Sequence, residues 1–282
     1  MKEIRIHTIP CGTIRMRRSM AFRADRALLD PRMSMPDNVF LLEHPLHGNI
    51  LFDTGWSAGC RERLPQHLLR LYDPQIEAGM SAREQLAGMG LRPEDIDLLV
   101  LTHLDADHTY ALNDFIGRAK RIVCAELEYF YSCRLVYKRR EFQESWLPYA
   151  DSIERIHYRA STLGPVGRGF DLFGDDSVIC IYCPGHTDGI FTTIVSQGPS
   201  NRFKVHGEGR YGGPFAVIAS DVAFSQRNID EETIPGYGFD REMQMRSLRF
   251  LKKLQSDPMH RGTLFSHSTP ATHVLTLSPS GR

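Results

Sequence analysis

The chain has 282 residues, equal numbers of basic and acidic side chains (34 each) and 41% hydrophobic residues, so it can build a substantial core and carries no net charge. Balanced, interspersed charge lacks the basic face that neutralises phosphates, which excludes nucleic acid as an expected partner. The charged, alternating N-terminus, the absence of an apolar run long enough for a bilayer, and six scattered cysteines point to a cytoplasmic protein with no membrane partner and no disulfide framework.

In chain order, strands are expected at Ile4 to Ile9, Val39 to Glu43 and Ile50 to Asp53, the last two joined by the turn-like HPLHGN. A helix around Ser81 to Met89 precedes an apolar strand, Asp97 to Thr102, which runs directly into HLDADH. A short helix from about Thr109 to Phe115 leads to a strand at Arg121 to Cys124. From Ala125 to about Arg159 the pattern is helical and aromatic, with Tyr129, Phe130, Tyr131, Tyr137, Phe142, Trp146 and Tyr149. Strands return at Ser177 to Cys183, Phe191 to Ser196 and Pro214 to Ser220. A helix from about Asp240 to Gln255 and a strand at Thr263 to Ser266 finish the pattern. Two strand-rich blocks with interspersed helices predict an α/β sandwich rather than a regular βαβ array.

Four features carry chemistry, each at the C-terminal end of an expected strand. In His103-Leu104-Asp105-Ala106-Asp107-His108, four potential ligands fall within six residues, and a tight loop can wrap them round a pair of cations. Imidazoles with carboxylates suit Zn²⁺, Fe or Mn²⁺. The competing reading, a polar surface loop, fits poorly with delivery by a buried apolar strand. Pro184-Gly185-His186-Thr187 forces a turn that aims His186 at the strand ends. Asp221 follows Ala216-Val217-Ile218-Ala219-Ser220 and is placed to bridge two cations or simply to cap a turn. His267 follows Thr263-Leu264-Phe265-Ser266 and has the weakest local signature.

The order HxDxDH, PGHT, SD and SH, preceded by Leu51-Phe52-Asp53-Thr54-Gly55, resembles the metallo-β-lactamase superfamily over about Asp37 to His267. The resemblance implies an α/β fold, a four-layer αββα sandwich, as a single domain over residues 1–282 with a helical aromatic insert at about 125–160. It also implies that His103, Asp105 and His186 hold one metal, that Asp107, His108 and His267 hold a second, and that Asp221 bridges them. Asp53 would steady the metal loop by hydrogen bonds. Within the superfamily the layout is most similar to N-acyl homoserine lactonases, enzymes of quorum quenching.

Two positions depart from that pattern. Asp105 stands where the usual HxHxDH has its second histidine, and a carboxylate there adds hardness that favours Fe or Mn²⁺ over Zn. Phe224 stands where the lactonases carry a tyrosine, three residues after the bridging aspartate. Tyr110, beside the metal loop, is the candidate replacement, with packing as its alternative role.

The expected activity is metal-dependent hydrolysis of a lactone or ester. A hydroxide shared by two divalent cations, Zn or else Fe or Mn, about 3.5–4 Å apart, attacks the carbonyl, and Asp107 orients it and moves the proton. The expected partner is a small-molecule substrate, with a homodimer left open. Alternatives are a diiron oxidoreductase-type domain of the same fold, a phosphodiesterase or thioesterase member, and a metal-free binding module. Cys180 and Cys183 face opposite sides of a strand and make no zinc site. Residues 207–213 read as a hairpin loop, and His157 and His206 lack partners at ligand spacing. Met16, Met20, Met33 and Met35 are read as core, some lining an acyl pocket, and the aromatic insert as either an apolar wall or a packed cap.

Overall fold

The computed structural model describes residues 3–25, 29–138, 141–197 and 213–278. Its first sheet contains β1 (Ile4–Arg17), β2 (Arg32–His44), β3 (Gly48–Phe52), β4 (Leu98–Leu101), β5 (Ile122–Ala125) and β6 (Glu154–Ile156). The second contains β7 (Arg159–Ala160), β8 (Arg168–Asp171), β9 (Val178–Tyr182), β10 (Phe191–Ser196), β11 (Phe215–Ile218) and β12 (His260–Leu264). A last strand, β13 (Val274–Leu277), returns to the first sheet beside β1. The strand orders are β13-β1-β2-β3-β4-β5-β6 and β12-β11-β10-β9-β8-β7.

Alternation of side chains across each strand produces the layers. From the first sheet, Phe40, Leu42, Phe52 and Val100 meet Val178, Phe191, Ala216 and Ile218 of the second, forming the core between the sheets. The intervening Leu41, Leu51, Leu99 and Leu101 turn outward and are covered by Leu86, Leu112, Phe115 and Trp146. On the other side Ile181, Ile194 and Val217 are covered by Leu248, Leu251 and Leu254 of the helix Arg241–Gln255. The molecule is thus an αββα sandwich. Cys180 faces the inter-sheet core and Cys183 the outer one, on opposite sides of their strand and both unpaired.

Strand direction positions the site. β3, β4 and β5 run parallel, so their C-terminal ends share one edge of the first sheet. In the second sheet β9 and β11 are both antiparallel to β10, and β12 is parallel to β11. The ends of β9, β11 and β12 therefore share one edge too. The residues just past these ends, Asp53, His103, His186, Asp221 and His267, are gathered by topology and not by sequence proximity.

Several elements differ from the sequence reading. The helix expected over Thr109 to Phe115 starts earlier, at Ala106–Thr109 inside the metal loop, followed by the 3₁₀ turn Leu112–Asp114. The insert is not one helical stretch. Short helices Glu126–Ser132 and Leu135–Lys138 give way to 3₁₀ turns, one with Pro148 at its start, and then to β6, which pairs parallel with the exposed edge of β5. β13 was not expected at all: it is four residues long and mostly open to solvent, and what makes it a strand is its pairing with the edge of β1. His206 and residues 207–212 lie outside the described residues. Among the described residues no helix is long and apolar enough to cross a membrane.

Candidate metal centre and its cavity

β4 is buried along its whole length and delivers the loop that follows it into the interior. Asp105 begins the helix Ala106–Thr109, but its carboxylate makes no capping hydrogen bond to it. It points instead at His186, with Oδ2 3.2 Å from Nε2, and lies 3.7 Å from His103 Nε2. One turn further on, the helix presents Asp107 and His108 to the same space.

The ligand-type atoms fall into two groups. His103, Asp105 and His186 each offer an atom within 4.8 Å of the others, and so do Asp107, His108, Asp221 and His267. Asp221 spans both groups. Its Oδ1 is 3.3 Å from His108 Nε2, while its Oδ2 is 3.3 Å from His267, 3.5 Å from His186 and 4.0 Å from His103. All seven side chains are buried. His273, by contrast, is exposed, so the tail brings no rival histidine to the group.

Each imidazole is held from behind. His186 and His267 place Nδ1 against the carbonyls of Tyr237 and Pro36, at 3.2 and 3.1 Å, and a carbonyl can only accept. Nδ1 therefore carries a proton in both, and Nε2 is the atom turned inward, toward the Asp105 and Asp221 carboxylates. His108 Nδ1 donates to Asp53 Oδ2 at 2.8 Å. His103 Nδ1 lies 3.1 Å from Thr102 Oγ1, whose own proton goes to Asp53 Oδ2, so here too the imidazole is the donor. Four Nε2 atoms thus face inward, which is the orientation metal ligation requires.

Asp53 organises this first-sheet half. Its other oxygen accepts the Thr102 N–H at 2.8 Å, and its backbone is left-handed, with φ of 63°. Ser220, next to Asp221, is left-handed as well (φ 51°), and its hydroxyl donates to Thr102 Oγ1, tying the two sheet edges together. Backbone held in this region costs on the order of 1–3 kcal/mol and persists where surrounding contacts enforce it. Gly185 supplies the tight turn: at φ of 133° an added Cβ would lie 2.3 Å from the Gln244 backbone nitrogen.

Burial of so many charges makes the group electrostatically unsatisfied. Burial, then the neighbouring Asp107, raises the carboxyl of Asp37 well above its ordinary range. Burial likewise raises Asp107. It lowers His103 far below the usual imidazole range, helped by His108. Burial alone would raise Asp221, but His267 and His108 hold it well below the usual carboxylate range. His103 Nε2, His108 Nε2, Asp107 Oδ1 and Asp221 Oδ1 are buried and make no hydrogen bond. Such atoms are costly unless a cation takes them. The donor set of imidazoles and carboxylates fits a dinuclear metal centre.

Two buried glutamates that the sequence reading missed brace the centre. Glu128 accepts the N–H of Leu104 at 3.1 Å and of Gly189 at 3.0 Å, and the hydroxyls of Thr187 and Ser132. It thereby ties the metal loop to the loop carrying His186. Glu141 accepts the N–H of Ala106 at 3.1 Å and the hydroxyls of Tyr72 and Tyr237. Both glutamates lie in the insert, where only their aromatic neighbours drew attention. Nothing in their local sequence marks them.

The cavity over the centre is about 20 Å³, room for one water. Its lining adds Met16, Met20, Leu71, Tyr72, Phe224 and Tyr237 to Asp105, Asp107, His186 and Asp221. Entry of anything larger therefore requires side chains to move, and the two methionines are flexible enough to do so. Tyr110 is not in this lining. Its hydroxyl donates to the Gly59 carbonyl at 3.2 Å and accepts from Arg63 Nε at 2.6 Å, and its ring packs with Trp56 and Phe142. Of the two roles open to Tyr110, electrophile or packing, these contacts fit packing. Among the described residues none between 129 and 149 lines the cavity. Tyr131, Tyr137 and Trp146 pack on the outer face of the first sheet, so the insert is a cap. His157 is exposed and paired with Glu126.

Comparison with known proteins agrees with this architecture. Residues 35–194 match the family model of the metallo-beta-lactamase superfamily. N-acyl homoserine lactonase AttM of Agrobacterium fabrum is 21% identical over 259 residues, covering 89% of each chain. The crystal structure of a B. thuringiensis AiiA mutant with N-decanoyl-L-homoserine bound at its active site superposes with a TM-score of 0.72 at 20% identity, covering 95% of this chain and 94% of that one. AidC, a dizinc quorum-quenching lactonase in complex with its product, gives a TM-score of 0.60 at 15% identity, covering 99% and 95%. With more than half its length matched by the family model, and with the two-sheet sandwich in place, the chain belongs to the metallo-beta-lactamase superfamily.

Proposed function

We propose that the chain is a dinuclear metal-dependent hydrolase that opens a lactone of the N-acyl homoserine type. One observation carries the reading: four inward imidazole nitrogens and three carboxylates converge in two buried groups that share Asp221. In this reading His103, Asp105 and His186 hold one cation, and Asp107, His108 and His267 the other, with Asp221 between them. Zn is the first candidate, and the carboxylate at Asp105 makes Fe or Mn competitive. Bound cations would supply a water acidified toward neutrality and a positive charge facing the carbonyl oxygen.

The chain's own groups do the rest. Asp107, whose Oδ1 faces the cavity without a hydrogen bond, orients the attacking water and carries its proton to the departing ring oxygen. Asp53, Thr102 and the two backbone carbonyls keep the four imidazoles in one tautomer. Met16, Met20, Leu71 and Phe224 exclude bulk water and provide an apolar bed for an acyl chain. The lactonase names of its relatives support the substrate class.

A second reading, a diiron oxidoreductase-type centre, rests on the carboxylate at Asp105. The test is turnover by the metal-loaded protein on a panel of N-acyl homoserine lactones, aryl esters, thioesters and phosphodiesters. Lactone opening at the highest kcat/KM is expected. Hydrolysis of phosphodiesters alone would overturn the lactonase reading, and iron-dependent redox turnover without hydrolysis would establish the second.

A further inference from the structure

The wall of the cavity is apolar except for two phenols, Tyr72 and Tyr237, which come from segments far apart in the chain. Both are tied to one buried carboxylate. Tyr72 Oη lies 2.9 and 2.8 Å from the two oxygens of Glu141, and Tyr237 Oη lies 2.5 Å from Oε1. Glu141 is 3% exposed, so solvent offers it no substitute, and its third donor is the Ala106 N–H. A phenol carries a single proton and two lone pairs. With both protons directed at Glu141, what these hydroxyls offer to the cavity is acceptor capacity.

We propose that Tyr72 and Tyr237, oriented by Glu141, form an acceptor pair that selects substrates carrying an N–H donor next to the lactone ring. The inference rests on the lactonase reading and deepens it. An amide N–H entering against this mostly apolar wall loses its water and needs an acceptor, and among the wall groups the phenol oxygens supply one. A substrate without the N–H gains nothing from them and leaves them dry. Asp107 and Asp221 line the floor of the same cavity, which is where the carbonyl end of the ring would have to sit. The phenols therefore act in recognition, and Glu141 is a positioning residue that acts through them.

The experiment compares two substrates on the metal-loaded, full-length protein: N-octanoyl homoserine lactone and γ-dodecalactone, which has a similar apolar tail and no N–H. The readout is the ratio of their kcat/KM values, separated into kcat and KM. Wild type is expected to favour the amide lactone, and Tyr72→Phe and Tyr237→Phe are each expected to lower the ratio about tenfold, chiefly through KM. An unchanged ratio in both variants, whatever happens to the absolute rates, would overturn the inference while leaving the lactonase reading intact. Wild-type protein that opens neither lactone would overturn that reading, and the inference with it.

Discussion

The floor of the cavity is made of buried carboxylates and imidazoles, the imidazoles held from behind by hydrogen bonds, whereas its wall is made of apolar side chains and two phenols. Floor residues sit just past the ends of β4, β9, β11 and β12, where strand direction leaves little freedom. Wall residues come from the far end of β1 and the short helix Arg18–Ala21 after it, the helix Gln66–Tyr72 and the loops around 224 and 237. The difference separates two jobs. A rigid floor fixes the reacting geometry, and a movable wall, closed to about the size of one water, decides what enters.

Removing the floor's shared group should have the largest effect. Asp221→Ala is expected to lose more than about a hundredfold in metal affinity and in turnover, exceeding what is typical for groups that merely support ligands. Calorimetric titration with Zn²⁺ alongside initial rates checks this, and near-normal binding would show that Asp221 is not shared. Next come the braces behind the floor. Asp53→Asn and Glu128→Gln should each cost roughly 10–100-fold in metal affinity, with the fold retained by circular dichroism. A loss confined to KM would place them with the wall instead.

Changes in the wall should be milder. Phe224 packs edge-on against His186 and His267, with ring centroids 5.9 and 4.7 Å away, so Phe224→Tyr puts a hydroxyl close to the floor. Its expected gain on homoserine lactones is smaller than the roughly hundredfold an oxyanion donor supplies, and kcat on the metal-loaded variant measures it. Smallest of all is Tyr110→Phe. It should lower stability by about 1 kcal/mol through the lost bonds to Gly59 and Arg63, and leave kcat within about twofold. A hundredfold fall in kcat would return Tyr110 to the reaction.

The same division explains what could be read from the sequence. Ligand-type residues cluster after strands, so HLDADH, PGHT and Asp221 were visible in short windows, and the structure brings them together with Asp53 and His267. The two bracing glutamates were not visible, because their meaning lies in donors from distant loops: Gly189 is 61 residues from Glu128, and Tyr237 is 96 from Glu141. The insert was left open between wall and cap for a related reason. Aromatic density in 129–149 signals apolar burial, but it cannot say which face is covered, and the rings turned out to cap the first sheet. β13 escaped because an edge strand is made by its partner more than by its own pattern.

The account stands most directly on the metal content of the purified protein after reconstitution. Elemental analysis should find about two transition-metal ions per chain, with hydrolysis abolished by chelation and restored by adding the metal back. A protein that takes up no metal under those conditions, while remaining folded, would contradict the two-cation floor.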